Sequence, residues 1–181
     1  MKKIYCFPVA LLLTAALLAM FSGCRPSGPK TAESSDGIVV SDSVKIFIGD
    51  VVENETELTA RLGEAVRRQE SQSCIAVGTD INLDYEGFSI ALYPYGETAH
   101  VVGSIKITSP EYATETGIRP RDNISSLDSS PYTLRSHYGS VNESGTFSYF
   151  MGDSVYFLVA SADDSGTITR LILGSSEFTA E

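Results

Sequence analysis

The chain has 181 residues, with 13 Lys plus Arg against 23 Asp plus Glu and a formal net charge of −10 at pH 7. Such an acidic surface repels phosphate backbones and argues against nucleic acid as a partner. The three cysteines, two of them within the first 24 residues, exclude a disulfide framework.

The first residues have the form of a secretory signal. Lys2 and Lys3 supply a basic start, and residues 9–21 form an apolar run dominated by Leu and Ala. This run would make roughly 20 Å of helix, which is too short to cross a hydrocarbon core of about 30 Å. The segment therefore predicts a cleavable signal rather than a membrane span.

The apolar run ends on Phe21-Ser22-Gly23-Cys24, where the small side chains of Ser22 and Gly23 suit a signal peptidase. This motif resembles the lipobox of bacterial lipoproteins. The resemblance implies removal of residues 1–23 and attachment of diacylglycerol to Cys24, with no other cofactor. It places the protein outside the cytoplasm, on the cell membrane or, in a Gram-negative source, the outer membrane. The alternative is an ordinary secretory signal with an incidental Cys.

Composition divides the remaining chain in two. Residues 24–42 are rich in Pro, Gly, Ser and charge, which predicts a flexible tether. Residues 43–181 are long enough for one domain with its own core. Cys74 lies in the apolar stretch Cys74-Ile75-Ala76-Val77, which favours a buried small hydrophobe over a reactive thiol.

The domain contains an internal duplication, with one repeat at about 45–108 and a second at about 115–174. Each repeat is expected to begin with a helix, Leu58–Gly63 in the first and Leu134–Gly139 in the second. In both, two large residues at i and i+4 are followed by Gly, a usual helix stop. Asn54 caps the first of these helices.

Strands follow each predicted helix. The matched pairs of segments are 81–85 with 146–150, 87–92 with 152–157, and 102–107 with 168–173. The first repeat has room for an extra strand at 73–77, and the second carries a polar insertion at 122–130. Turn residues between the last two strands of each repeat predict hairpins.

These patterns predict an α+β fold. Two tandem repeats, each a helix followed by an antiparallel meander, would form one two-layer domain with the helices on one sheet face. The arrangement resembles the β-lactamase inhibitor protein, small outer-membrane assembly lipoproteins and, more closely, functionally unassigned lipoproteins of Gram-positive anaerobes. The motifs that carry the last resemblance are Leu62-Gly63, Ser73-Cys74, Tyr85-x-Gly87-Phe88-x-Ile90, Tyr93-Pro94-x-Gly96 and Ser104-Ile105. They imply a fold and a location but no reaction.

No motif predicts catalysis or metal binding. His100 and His137 each stand alone. Asp80–Glu86 begins like a calcium loop, but Tyr85 replaces the required Gly and Ala91 replaces the bidentate Glu. Strict alternation predicts instead a strand with its carboxylates in water. A weak calcium site is the alternative.

The sequence therefore predicts a non-enzymatic binding or envelope-assembly module whose ligand is unknown. The alternatives are an envelope enzyme without a recognisable motif and a peptidoglycan-associated spacer. Strand parity assigns Tyr93 and Tyr156 to the sheet face away from the helices, where a protein or glycan partner would dock. Asp84, Glu86 and Asp153 would form an acidic rim that favours a basic or polar partner.

Overall fold

A computed structural model describes residues 36–139, 145–151 and 155–178, with the backbone alone for 136–139. The strands are β1 Gly37–Ser41, β2 Val44–Phe47, β3 Val51–Val52, β4 Arg67–Gln72, β5 Thr79–Tyr85, β6 Phe88–Tyr95, β7 Ala99–Ile107, β8 Ala113–Thr114, β9 Tyr132–Gly139, β10 Gly145–Met151, β11 Tyr156–Ala162 and β12 Ile168–Ser175. The described helices are α1, Glu55–Leu62, and the 3₁₀ helices Ile124–Ser129 and Ser176–Phe178. No helix in these ranges is long and apolar enough to cross a membrane.

The predicted α+β class is wrong, because the described fold is mostly β. The expected second helix, Leu134–Gly139, lies within β9, which pairs along its length with β10. An i, i+4 pair of large residues is also compatible with a strand, where residues two and four apart share a face. The pairing partner therefore decides the conformation, and local spacing does not.

A nine-stranded antiparallel sheet dominates the fold. Its main path runs β4-β5-β6-β7-β12-β11-β10-β9, and β3 pairs with β7 beside that path. The sheet consists of two four-stranded meanders, β4 to β7 and β9 to β12, joined where β7 meets β12. At this junction Ile107 faces Leu171 and Ile105 faces Leu173, and none of the four is more than 1% exposed.

The core lies on one face of this large sheet. Alternating residues of β6 and β11, such as Ile90, Leu92 and Leu158, are fully buried there. A second layer covers them, made of α1, the 3₁₀ helix Ile124–Ser129 and a small sheet of order β2-β1-β8. We call the opposite side of the large sheet the outer face.

Two equivalent turns lead into the two meanders. The N–H of Gly49 donates to the carbonyl of Val102 (2.8 Å), and the N–H of Arg121 donates to that of Ile168 (2.7 Å). Both turn residues have positive φ, 94° and 77°. In each turn the following Asp accepts from the backbone three residues earlier, at 3.0 Å for Asp50 and 2.9 Å for Asp122.

A capped helical segment follows each turn. Asn54 caps α1 and Asn123 caps the 3₁₀ helix, each accepting from the N–H two residues later. Four residues after each cap, Leu58 and Leu127 are buried to 2% and 0% exposure. The stretch 122–130 therefore contains the counterpart of α1 and is not an insertion.

Other local expectations also need correction. Gly37–Ser41 forms β1 with Ile38 wholly buried, so the tether interpretation of 24–42 does not hold for those residues. Residues 73–77 are not a strand; β4, at Arg67–Gln72, supplies the additional pairing to β5. The Ser73 hydroxyl accepts from the N–H groups of Ile75 and Ala76 (both 3.3 Å), which shapes a turn.

Candidate functional site

The outer face of the large sheet is the candidate site. Its central side chains are half-buried rather than enclosed, because the second layer packs on the core face. Val159 faces Ile172 across β11 and β12, and Phe150 faces Phe157 across β10 and β11. The two phenyl rings lie 6.1 Å apart between centroids. A continuous, partly exposed apolar stripe therefore crosses three adjacent strands.

Tyr93 lies on the outer face, as predicted by strand parity. Its ring rests on Gly103, where a Cβ would overlap the ring. In the second half the Phe157 ring covers Gly174 in the same way, and a Cβ there would come within 2.6 Å of Cζ. Burial and the nearby Asp80 carboxylate raise the pKa of the Tyr93 hydroxyl. Tyr93 is thus a packed, half-buried ring at one end of the outer face.

Tyr156 lies on the core side of β11, packed against buried residues. It shares parity with Leu158 and Ala160, both fully buried, whereas Phe157 takes the outer face. The structure therefore does not bring Tyr93 and Tyr156 onto one surface. The predicted alignment of β6 with β11 is therefore wrong by an odd number of residues. An odd shift moves every side chain of a strand to the opposite face of the sheet.

The structure describes two of the three residues of the expected acidic rim, Asp84 and Glu86. The Asp84 carboxylate forms an ion pair with the Arg67 guanidinium at 2.6 Å. Glu86 is exposed in the turn between β5 and β6. Asp153 falls outside the described residues. Of the two described residues, only Asp84 is therefore neutralised by a cation of the protein itself.

Positive charge is concentrated on one half of the sheet instead. The five adjacent strands β7, β12, β11, β10 and β9 contain no Asp or Glu, although the chain has 23. They carry Lys106, Arg170 and Arg135, all exposed. Lys106 faces Ser89 and Ile172 on the outer face, and Arg135 lies over the Phe150 ring at 5.6 Å from its centroid. Sequence reasoning missed this cluster, because its members are far apart in the chain.

A cleft of about 310 Å³ lies between α1, β2 and β3. Leu58 and Val102 contribute apolar wall, and Lys45 and Arg61 contribute cations. The Arg61 guanidinium donates to the Lys45 carbonyl (2.6 Å), and the Lys45 ammonium pairs with Glu115 (2.8 Å). Both cations of the cleft are therefore already bound to other groups of the same chain.

The isolated titratable residues do not assemble into a chemical site. His100 Nε2 lies 3.2 Å from the Thr79 carbonyl. His137 lies in β9 rather than on a helix. Cys74 is exposed, which contradicts the expectation of a buried thiol. Within the described ranges no three His, Cys, Asp or Glu side chains cluster as metal ligands.

The strand predicted for residues 81–85 is confirmed by β5, although Asp80 Oδ1 is buried rather than in water. Ile81 and Leu83 are buried to 4% and 5% exposure, and Asn82 between them is exposed. The acidic side chains of this segment therefore belong to a half-buried strand rather than to a calcium-binding loop.

No family model, curated protein or solved structure matches this chain. The functional argument therefore starts from the fold and the outer face.

Proposed function

We propose that this chain is a lipid-anchored, extracytoplasmic binding module, without catalytic activity, whose partner docks on the outer face. The observation that carries the proposal is the partly exposed stripe of Phe150, Phe157, Val159 and Ile172 on a rigid antiparallel sheet. An antiparallel sheet can leave one face to solvent, which normally carries polar side chains. Aromatic and aliphatic side chains on that face are typical of interface cores.

The lipid anchor rests on the sequence, since residues 1–35 lie outside the described part of the chain. We expect Cys24→Ser to abolish diacylglycerol attachment, because only the thiol can form the thioether. Two or more acyl chains are needed for stable anchoring. The measurement is partition between the aqueous and detergent phases of a Triton X-114 extract.

The matched control for the anchor is Cys74→Ser, which removes the exposed thiol of the described domain. This variant should remain in the detergent phase with the wild type. A Cys24→Ser protein that also stayed there would contradict the lipobox assignment.

The docking surface is tested with Val159→Thr combined with Ile172→Thr. Thr keeps the β-branched shape that strands favour and replaces an apolar methyl by a hydroxyl. We expect the double variant to fold but to lose envelope proteins that cross-link to the wild type. The matched control is Val66→Thr with Val77→Thr, at two valines that are 78% and 98% exposed and lie outside the strands of the large sheet.

Retention of every cross-linked partner by the outer-face variant would remove this surface as the site. Equal loss in the control variant would also count against it. A peptidoglycan-associated spacer predicts the same cross-links for all variants, so this comparison separates the two functions.

A further inference from the structure

We infer that two copies of this chain pair through β4, the strand at one end of the large sheet. The two β4 strands run antiparallel about a twofold axis at Gln69, so that the sheet continues from one copy into the other. This inference does not rest on the function proposed above, because it concerns a different surface and a different partner. It rests on the exposed backbone of β4 and on the order of its charges.

The backbone of β4 has a side that no other strand occupies. Among the described residues β4 pairs with β5 alone, and all six of its residues are exposed. The N–H of Ser73 donates to the Gly78 carbonyl (3.1 Å), which continues the ladder towards β5. Because successive residues of a strand turn their backbone groups to opposite sides, Arg68, Glu70 and Gln72 present theirs away from β5. Such a row of donors and acceptors is a template for a further strand.

β4 also lacks the features that usually keep the edge of a sheet from pairing. Its register with β5 is regular over six residue pairs, and it contains no Pro and no Lys. Edge strands are commonly protected by proline, by lysine or by a bulge. β9, at the other end of the sheet, has a register shift opposite Ser148 and Tyr149. β4 is therefore better suited than β9 to receive a further strand.

The charges of β4 are self-complementary. Because outward backbone groups must face each other, the axis passes through a residue rather than between two. With the axis at Gln69, Arg68 lies opposite Glu70 of the second copy, and the twofold repeats this contact. An axis at Arg68 or at Glu70 would place two like charges opposite each other. Opposite charges in facing positions stabilise a strand pair and like charges destabilise it, so the sequence of β4 fits a second copy in one register.

Arg68 and Glu70 can make these contacts without losing their own. The Arg68 guanidinium donates to Glu55 through two nitrogens (2.8 Å each) and pairs with Glu70 through the third (2.6 Å). A guanidinium has more N–H donors than these bonds use. The Arg68 and Glu70 side chains are 42% and 54% exposed, so both are within reach of a neighbouring strand.

Gln69 and Val66 fit the same register. The two Gln69 amides would face each other across the axis, where each can donate to and accept from the other. Val66, immediately before β4, is 78% exposed and would lie beside Gln72 of the second copy. Pairing therefore covers an apolar side chain that the single chain leaves in water.

The test captures the dimer with a disulfide at the axis, because two six-residue strands make a small interface and a weak dimer. The test protein is full-length Gln69→Cys/Cys74→Ser, mildly oxidised in a nonionic detergent. Cys74→Ser removes the exposed native thiol, and this variant alone gives the background. Facing Cα atoms at such an axis lie about 4.5 Å apart, within the range that a disulfide allows.

The matched control is Ser71→Cys/Cys74→Ser, at an exposed residue on the same face of β4. In the proposed register residue 71 of one copy lies roughly 13 Å along the strand from residue 71 of the other. That separation is too large for a disulfide, so the control reports collisions between unpaired molecules.

We expect Gln69→Cys/Cys74→Ser to form covalent dimers at least about tenfold faster than the control, since only this variant brings two thiols together. Adding Glu70→Arg should slow its dimer formation about tenfold, because arginines then lie opposite each other. Adding Glu97→Arg instead, the same change of charge in the exposed turn between β6 and β7, should leave the rate within about twofold.

Three results would overturn the inference. Equal rates for the two cysteine positions would show collision without a fixed register. An unchanged rate with Glu70→Arg, or an equal slowing with Glu97→Arg, would show that the charges of β4 do not select the partner. If Gln69→Cys/Cys74→Ser is recovered from cells in a mixed disulfide with another envelope protein, and never with itself, β4 receives a strand of a different chain.

Discussion

Asp36, at the start of β1, is a buried carboxyl that holds the small sheet together. Its Oδ1 accepts from the N–H groups of Gly37 (2.8 Å) and Glu115 (3.0 Å), and the Thr116 hydroxyl donates to Oδ2 (3.4 Å). The side chain is 3% exposed. Burial outweighs these hydrogen bonds and raises the pKa of Asp36 to about 6.

This raised pKa predicts a pH-dependent stability. The folded state holds the Asp36 proton more tightly than the unfolded state, whose pKa is 3.8. Its contribution to the free energy of unfolding is therefore full below about pH 4 and is lost as pH rises through about 6. The loss is roughly 3 kcal/mol.

The measurement is the urea midpoint of the wild type and of Asp36→Asn between about pH 4 and 8. Asn keeps an acceptor for both N–H groups but does not titrate. The wild type should lose stability relative to Asp36→Asn as pH rises. Parallel profiles for the two proteins would show that Asp36 does not titrate in this range.

Gly103 shows how one missing Cβ shapes the outer face. We expect Gly103→Ala to lower the free energy of unfolding by roughly 1–3 kcal/mol, because the new Cβ displaces the Tyr93 ring. Chemical denaturation measures this cost. In a Tyr93→Ser background the same substitution should cost much less, and an unchanged cost would show that the ring is not what the methyl displaces.

At the scale of elements, α1 and the 3₁₀ helix Ile124–Ser129 occupy equivalent positions and cover the core in the same way. Each begins at a capping Asn and inserts one Leu into the shared core. The two differ in helix type and length, so their similarity is in position and burial rather than in hydrogen-bond pattern.

We therefore expect Leu58→Ala and Leu127→Ala each to destabilise the domain by roughly 2–5 kcal/mol, because both side chains are almost wholly buried. The free energy of unfolding from urea titration measures the effect. Val66→Ala, at a valine that is 78% exposed, is the control and should change little. A near-wild-type midpoint for either Leu variant would contradict the equivalence of the two segments.

At the scale of the whole molecule, the two meanders share one core. Ile105 and Ile107 pack against Leu171 and Leu173 across the β7–β12 junction, and all four belong to a single buried cluster. The described residues also fall within one compact unit. Neither half can therefore be removed without exposing apolar surface of the other.

This shared core predicts a single cooperative unfolding transition. Far-ultraviolet circular dichroism and tyrosine fluorescence should give coincident urea curves. Hydrogen exchange should assign similar opening free energies to β6 and β11, one from each meander. Two separated transitions would show that the halves fold independently in spite of their pairing.

The sequence alone was sufficient to predict features that depend on interactions within a few residues. The Asn54 cap, the alternation of β5 and the buried positions 102, 105 and 107 with 168, 171 and 173 all follow from side chains that act on neighbouring backbone or on one strand face. The signal and the Cys24 lipobox are likewise local patterns, and they stay predictions because they lie outside the described residues.

Only the tertiary structure decided the conformation of β9, the sheet face that each side chain of β11 occupies, and the distribution of charge over the surface. An i, i+4 spacing fits helix and strand alike until β10 supplies backbone partners for β9. Pairing with β12 determines whether Tyr156 or Phe157 faces the core, and a one-residue shift reverses the answer. Lys106, Arg135 and Arg170 come to lie in one sheet because the two meanders join at β7 and β12, so long-range strand pairing, and not any local motif, creates the candidate site.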